Sequence, residues 1–222
     1  MLSLVSLSLV PSSLVRSMPH EVTEPSRGTL DPAQLASGSI EPAAVEPAAV
    51  EPEPIEPAVT QPTAEALRRA AGRFATGVAV ISTVDDGHDH AMTVNTLTSV
   101  SLDPLLVLVC VERDARFFEA VSSSGFWAIS VLAAGARSSA SWLATRGRPL
   151  AGQFASVPHH RGAVTGAPLV EPALTWLECR TADIFPGGDH MIVVGEVIGL
   201  EIPDVVADPA LLYYRSAYRE LP

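Results

Sequence analysis

The sequence predicts a mainly β domain, a small closed barrel with short peripheral helices, behind a low-complexity N-terminal extension. Three observations lead there. From Val78 onward, six or so short apolar runs alternate with turn residues and not with long helical patterns. Closing so many short strands on themselves removes exposed edges, which favours a barrel over an open sandwich. Before them, Glu41-Pro-Ala-Ala-Val is repeated from Glu46 and decays through Glu51-Pro-Glu-Pro-Ile-Glu-Pro57. Proline at that density forbids helix and the acidic charge resists collapse, so residues 1–62 are expected to be a disordered, extended tail and residues 63–222 the folded domain.

Met1 to Val15 is apolar and Ser-rich, yet Arg16 follows the apolar part where a secretory signal has charge before it. Pro11 interrupts the run, so it is expected to be a non-targeting leader, with Met18 a candidate natural start. The domain opens with Thr63 capping a helix over Ala64–Ala71, closed by Gly72. Val78–Val84 reads as a strand, Asp85-Asp86-Gly87 as a turn, and Leu105–Val111, an unbroken apolar run after Pro104, as a strand buried on both faces. Ala115–Ser123 reads as a helix closed by Gly125, Phe126–Leu132 as a strand, and 136–145 as a helix with Trp142 and Leu143 inward. Gly147–Pro172 reads as a long loop over the barrel mouth, and Leu174–Cys179, Met191–Leu200 and Leu211–Tyr214 as the remaining strands.

Composition excludes several chemistries. The net charge is −11, of which residues 1–62 carry −6 (eight acids, two arginines), and no basic run exists to grip nucleic acid or an anionic membrane. All fourteen basic residues are arginine. Without lysine there is no Schiff-base nucleophile and no phosphate-loop lysine, whereas arginine suits bidentate phosphate contacts. Cys110 and Cys179 lie in apolar runs at no metal-ligand spacing, so buried, inert thiols in a reducing cytoplasm are expected, and no metal. No Gly-x-Ser-x-Gly elbow, His-Glu-x-x-His or Gly-x-Gly-x-x-Gly occurs.

The chemistry-bearing stretch runs from Ala91 to Val111. Its first half presents Thr93, Asn95, Thr96, Thr98, Ser99 and Ser101, and then leads directly into the apolar strand. Buried hydroxyls and amides need partners, so such a segment either grips a polar ligand or is an edge strand with a Ser/Thr-rich turn. His88-Asp89-His90 reads as a solvated turn without a third metal ligand.

Phe74-Ala-Thr-Gly-Val-Ala-Val-Ile-Ser-Thr83, Met92–Val111 and Gly187-Gly-Asp-His190, in that order and spacing, resemble the flavin reductase family over roughly residues 65–220. These are the reductase components of two-component flavin monooxygenases, built on the FMN-binding split barrel. The resemblance implies an NAD(P)H:flavin oxidoreductase using FMN or FAD with NADH or NADPH, a separate oxygenase partner, and a homodimer. It lays Met92, Thr93, Val94, Asn95, Thr96, Thr98 and Ser99, with Cys110 and Val111, along the flavin. Arg113, Ala115 and Arg116 fall in a loop opening a helix, where free N–H groups and arginine charge attract phosphate; two solvated surface arginines are the plain alternative. Many relatives carry Ser or Thr where Ala115 and Phe117 stand. Gly188, Asp189 and His190 would line the nicotinamide side, with His190 orienting the dihydronicotinamide or balancing charge on reduced flavin. Asp189 is also a natural turn residue. His159, His160 and Phe154 are weaker candidates for cofactor contact. Tyr214-Arg-Ser-Ala-Tyr218 has Ser216 where the family pattern has glycine, which leaves ring contact by Tyr214 or Tyr218 open. The rival readings are a flavin-binding carrier or sensor, and a pyridoxamine-phosphate-oxidase-like flavoenzyme.

Overall fold

A computed structural model describes residues 61–203 and 209–221. The expectations for the tail, the leader and the start fall on residues outside this range. Helix α1 (Ala64–Ala71) starts as expected: the Thr63 Oγ1 accepts from the Ala66 N–H at 3.1 Å. Gly72 ends it with φ −64°, so termination here does not use the left-handed conformation. Strands β1 (Thr76–Gly77), β2 (Ala79–Asp85), β3 (His88–Val94), β4 (Thr98–Leu102) and β5 (Leu105–Glu112) follow. Helix α2 (Arg116–Ser124) is closed by Gly125 at φ 69°, a left-handed cap that glycine adopts without strain. Then come β6 (Phe126–Leu132), α3 (Arg137–Ala144), β7 (His159–Arg161), β8 (Pro168–Val170), β9 (Ala173–Gly187), β10 (His190–Glu201), β11 (Leu211–Tyr214) and β12 (Ala217–Glu220).

Seven strands form one antiparallel sheet in the order β3-β2-β6-β9-β10-β5-β4. Its two edge strands, β3 and β4, are consecutive in the chain, joined by Asn95-Thr96-Leu97 alone. A flat seven-stranded sheet would hold its edges ~29 Å apart. The four Cα steps from Val94 to Thr98 reach at most ~14 Å. The sheet must therefore roll up, giving the expected barrel, with a split between its edges. Thr96 stands where the β4–β5 ladder would continue, and its hydroxyl takes over for a backbone that has turned away. Its Oγ1 accepts from Cys110 N at 2.9 Å and donates to Cys110 O at 3.3 Å.

The core corrects one expectation. Strand β5 is buried on one face only: Val107, Val109 and Val111 point in, while Leu106, Leu108 and Cys110 are half-exposed. The strands buried on both faces are instead β2 and β6. Ala79 and Ile81 pack in the barrel with Trp127, Ile129 and Val193, while Val78 and Val80 pack outside it with Leu132, Leu143, Phe154 and Leu211. The difference is cover, since α3 and the segment after it lie over β2 and nothing described lies over the outer face of β5. That segment is also more than a loop. It buries Gln153, Phe154, Val157, Ala167 and Leu169, and β7 pairs with β8. It is anchored by Glu178 of β9, buried and accepting hydrogen bonds from the N–H groups of Val164 and Thr165 and the Thr165 hydroxyl.

Two-residue turns set the hairpins. Asp86 and Gly87, at φ 47° and 72°, join β2 to β3, so His88-Asp89-His90 is strand and not turn. Arg215 and Ser216, at φ 49° and 59°, join β11 to β12, a strand that the sequence reading missed. Ser216 thus holds a left-handed conformation that costs a residue with a Cβ, at the position where glycine would be free of strain. Ser216→Gly is expected to stabilise the domain by about 0.5–1 kcal/mol, seen as a higher midpoint in thermal unfolding.

Candidate active site

A cleft of about 450 Å³ opens between β3 and the starts and ends of the helices. β3 lines it with His90–Thr93, the end of β5 with Glu112, and the opening of α2 with Asp114–Phe117. The far wall is Leu143–Arg148 with Leu150 and Gln153. A second cleft of about 230 Å³ is walled by Val78, Thr93–Asn95, Ala144, Tyr213 and Tyr218. Thr93 and Ala144 border both, so the two are contiguous.

The far wall is held by a device that the sequence reading missed. As a sheet edge, β3 exposes a row of backbone acceptors, and two of them, Asp89 O and Ala91 O, are taken by side chains from the segment after α3. The Gln153 amide donates to Asp89 O, and the Arg148 guanidinium donates to Ala91 O. Arg148 also donates to Gln153 Oε1 at 3.2 Å and to Thr145 O at 3.1 Å. Gln153 is 2% exposed, and its own carbonyl accepts from Trp142 Nε1 at 2.7 Å. Burial, and then the Arg116 charge, depress the Arg148 pKa from its usual value. Asp89 takes a bidentate pair from Arg161 at 2.5 and 2.7 Å, and that hydrogen bonding raises the Arg161 pKa. Burial lowers the pKa of His90 on the cleft side. No group of metal-ligating side chains occurs among the described residues.

The structure brings together part of the expected set. Met92, Thr93, Ala115 and Arg116 share the large cleft, and Thr93, Val94 and Asn95 the small one. Two hydroxyls expected to face a ligand already donate within the protein, Thr93 to Ala140 O at 2.8 Å and Thr96 to Cys110. Thr98 and Ser99 are exposed on edge strand β4, Cys110 is half-exposed, and Val111 is fully buried in the core. The Gly188-Asp189 turn, with Gly188 at φ 75°, joins β9 to β10 and is tied to Arg113, whose N–H donates to Asp189 O at 3.0 Å and whose Nη2 donates to Gly188 O at 3.1 Å. His190 pairs in register with Glu112 and its Nδ1 lies 2.7 Å from Asp189 Oδ1, a hydrogen bond that lowers the Asp189 pKa. His190 therefore stands at the rim, one strand over from the cleft lining. Tyr214 lines neither cleft and lies under Arg215, 5.3 Å from its ring; its hairpin neighbours Tyr213 and Tyr218 wall the small cleft. The weaker candidates are engaged elsewhere: Phe154 is buried against His159, and His160 sits between Glu171 and Glu201.

The family model of the flavin reductase like domain matches residues 71–222, two thirds of the chain and all of the clefts. The chain belongs to the flavin reductase family. It is 44% identical over 133 residues to an NADH-dependent FAD reductase of Streptomyces globisporus, covering 60% of this chain and 72% of the relative. To a probable flavin reductase of Rhizobium meliloti strain 1021 it is 40% identical over 137 residues, covering 61% of this chain and 43% of that longer protein. Among solved structures it resembles BorF, the flavin reductase component of a bacterial two-component tryptophan halogenase. The TM-score is 0.67 and the identity 43%, over 72% of this chain and 99% of BorF.

Proposed function

We propose that this chain is an NADH-dependent flavin reductase, moving hydride from nicotinamide C4 to flavin N5 and releasing reduced flavin to a separate flavin-dependent oxygenase. The observation that carries this is the cleft itself. Met92 and Thr93 form one wall, and Asp114–Phe117 and three guanidiniums surround the other end, a donor set that fits a flat ring with a phosphate tail. The halogenase reductase component supports a separate flavin-consuming partner, and the NADH-dependent relative supports the nicotinamide. Two free cysteines suit the reducing cytoplasm in which we place this reaction.

Bound flavin supplies the electron-accepting ring. The protein's part is to bind and orient. Thr93, its proton committed to Ala140 O, can only accept a further hydrogen bond, so it suits an N–H of the ring edge. Asn95 offers an exposed amide, and Arg116 a guanidinium facing the phosphate end. Asp189 fixes the His190 ring through Nδ1 and leaves Nε2 free to orient a dihydronicotinamide carboxamide. His190→Ala is expected to keep flavin binding while raising the NADH KM or lowering kcat by about 10-fold; unchanged steady-state constants would remove His190 from the site.

Among the described residues, nothing covers the outer face of β5 and its neighbours. Leu106, Leu108 and Cys110 stand register-opposite Glu196, Val194 and Ile192, with Phe185 beside Ile192 and 51% exposed. We propose that a second copy covers it in a homodimer, which sedimentation analysis tests. The activity itself is tested by 340 nm assays with FMN, FAD and riboflavin against NADH and NADPH. Binding without multiple turnovers would make the protein a carrier, and turnover of phosphopyridoxamine would make it an oxidase.

A further inference from the structure

Three arginines border the large cleft, and their hydrogen bonds separate their roles. Arg148 engages all three of its guanidinium nitrogens, on Gln153 Oε1, Thr145 O and Ala91 O, and acts as a beam in the wall. Arg116 donates Nη2 to Arg148 O at 2.6 Å and keeps its remaining donors. Arg146 differs from both. Its side chain is 82% exposed and is paired with the Glu112 carboxylate, itself 38% exposed, on the opposite lip of the same cleft. An exposed carboxylate–guanidinium pair contributes little to stability, whereas a guanidinium on a phosphate gains an often bidentate partner that carries nearly two charges in FMN and one on each phosphate of FAD. Any phosphate entering the cleft therefore competes with Glu112 for Arg146.

Resting on the flavin reading above, we propose that Arg146 is the arm that takes the phosphate of the flavin nucleotide and that Glu112 is its built-in competitor. In the empty cleft Glu112 holds Arg146; FMN or FAD displaces the carboxylate, and on release Glu112 recaptures the arm. A reductase that hands its flavin to another protein gains from such a competitor, because each departing nucleotide has a replacement anion waiting. Riboflavin, with no phosphate, is blind to the exchange. NADH also carries phosphates, so the test has an arm for each source.

The experiment is flavin-fluorescence titration of the full chain with riboflavin, FMN and FAD, beside the NADH KM, for wild type, R146Q, R146K, E112Q and the double variant R146Q/E112Q. R146Q is expected to weaken FMN and FAD about 10-fold and leave riboflavin unchanged. R146K, which keeps the charge but not the fork, recovers part of the loss. E112Q is expected to tighten FMN and FAD several-fold in the Arg146 background and to do nothing once Arg146 is Gln. Both residues are exposed enough that the variants fold, which matching thermal unfolding curves verify. If R146Q shifts riboflavin and FMN alike or neither, or if only the NADH KM moves, the arm does not hold the flavin phosphate and the inference falls while the flavin reading stands. If none of the three flavins binds wild type, the flavin reading fails and takes this inference with it.

Discussion

Gly195→Ala is expected to destabilise the domain by about 2–3 kcal/mol, the range for overpacking a core that cannot yield. A Cβ built at Gly195 would lie 2.5 Å from Trp127 Cζ2 and 3.0 Å from Cys179 Cβ. Trp127 is fully buried in the barrel, in register with Cys179 on the neighbouring strand, so its ring has nowhere to retreat. The edge of a six-membered ring fits there because β10 has no side chain at that point. For a domain of this size the cost corresponds to a fall of roughly 5–10 °C in the unfolding midpoint. Trp127→Phe removes the clashing edge, and since Trp127 Nε1 has no hydrogen-bond partner, it breaks no polar contact. The double variant should therefore be more stable than the sum of the singles, a coupling that a mutant cycle measures. Strict additivity would mean that the ring does not press on this glycine.

Arg148→Met is expected to cost about 2–4 kcal/mol and to weaken flavin binding together with stability. The substitution keeps an apolar stem while removing donors to Ala91 O and to Gln153 Oε1, leaving acceptors at a buried site unpaired. Gln153 then loses the partner that orients it, and the second brace on β3, its bond to Asp89 O, loosens as well. The far wall of the cleft detaches from the strand that carries Met92 and Thr93. Thermal unfolding and FMN titration should both report the change. Normal stability with lost flavin binding would instead place Arg148 on the ligand, and loss of neither would remove Arg148 from both roles.

Much of the fold was legible because local signals and tertiary packing agree. Thr63, Gly125 and the Asp86-Gly87 pair act through their own backbone conformations and nearest neighbours, so helix α1, the end of α2 and the turn after β2 could be read directly, though not the second strand of that hairpin. Where the outcome depended on what lay across a strand, reading failed. An apolar run such as Leu105–Val111 does not say whether both of its faces are covered. The strand 217–220 lacked its usual turn signal because Ser216 holds a glycine conformation. The segment 147–172 has the composition of a loop, yet its Arg148 and Gln153 find the edge of β3, 57 and 64 residues away in sequence.

The sequence alone determined which chemistries are closed to this chain and which segment carries its polar groups. Lysine's absence, a count of only two cysteines and the Met92–Ser99 stretch are properties of composition and order, and no folding changes them. Only the tertiary structure decided which of those groups remain free for a ligand. Rolling the sheet brings its edges within reach of a three-residue link, and the hydroxyls of Thr93 and Thr96 find backbone partners while Arg146 pairs with Glu112 at the exposed lip of the cleft. Hydrogen-bonding capacity is written in residue types, but its availability is what remains after the fold has satisfied its own buried groups.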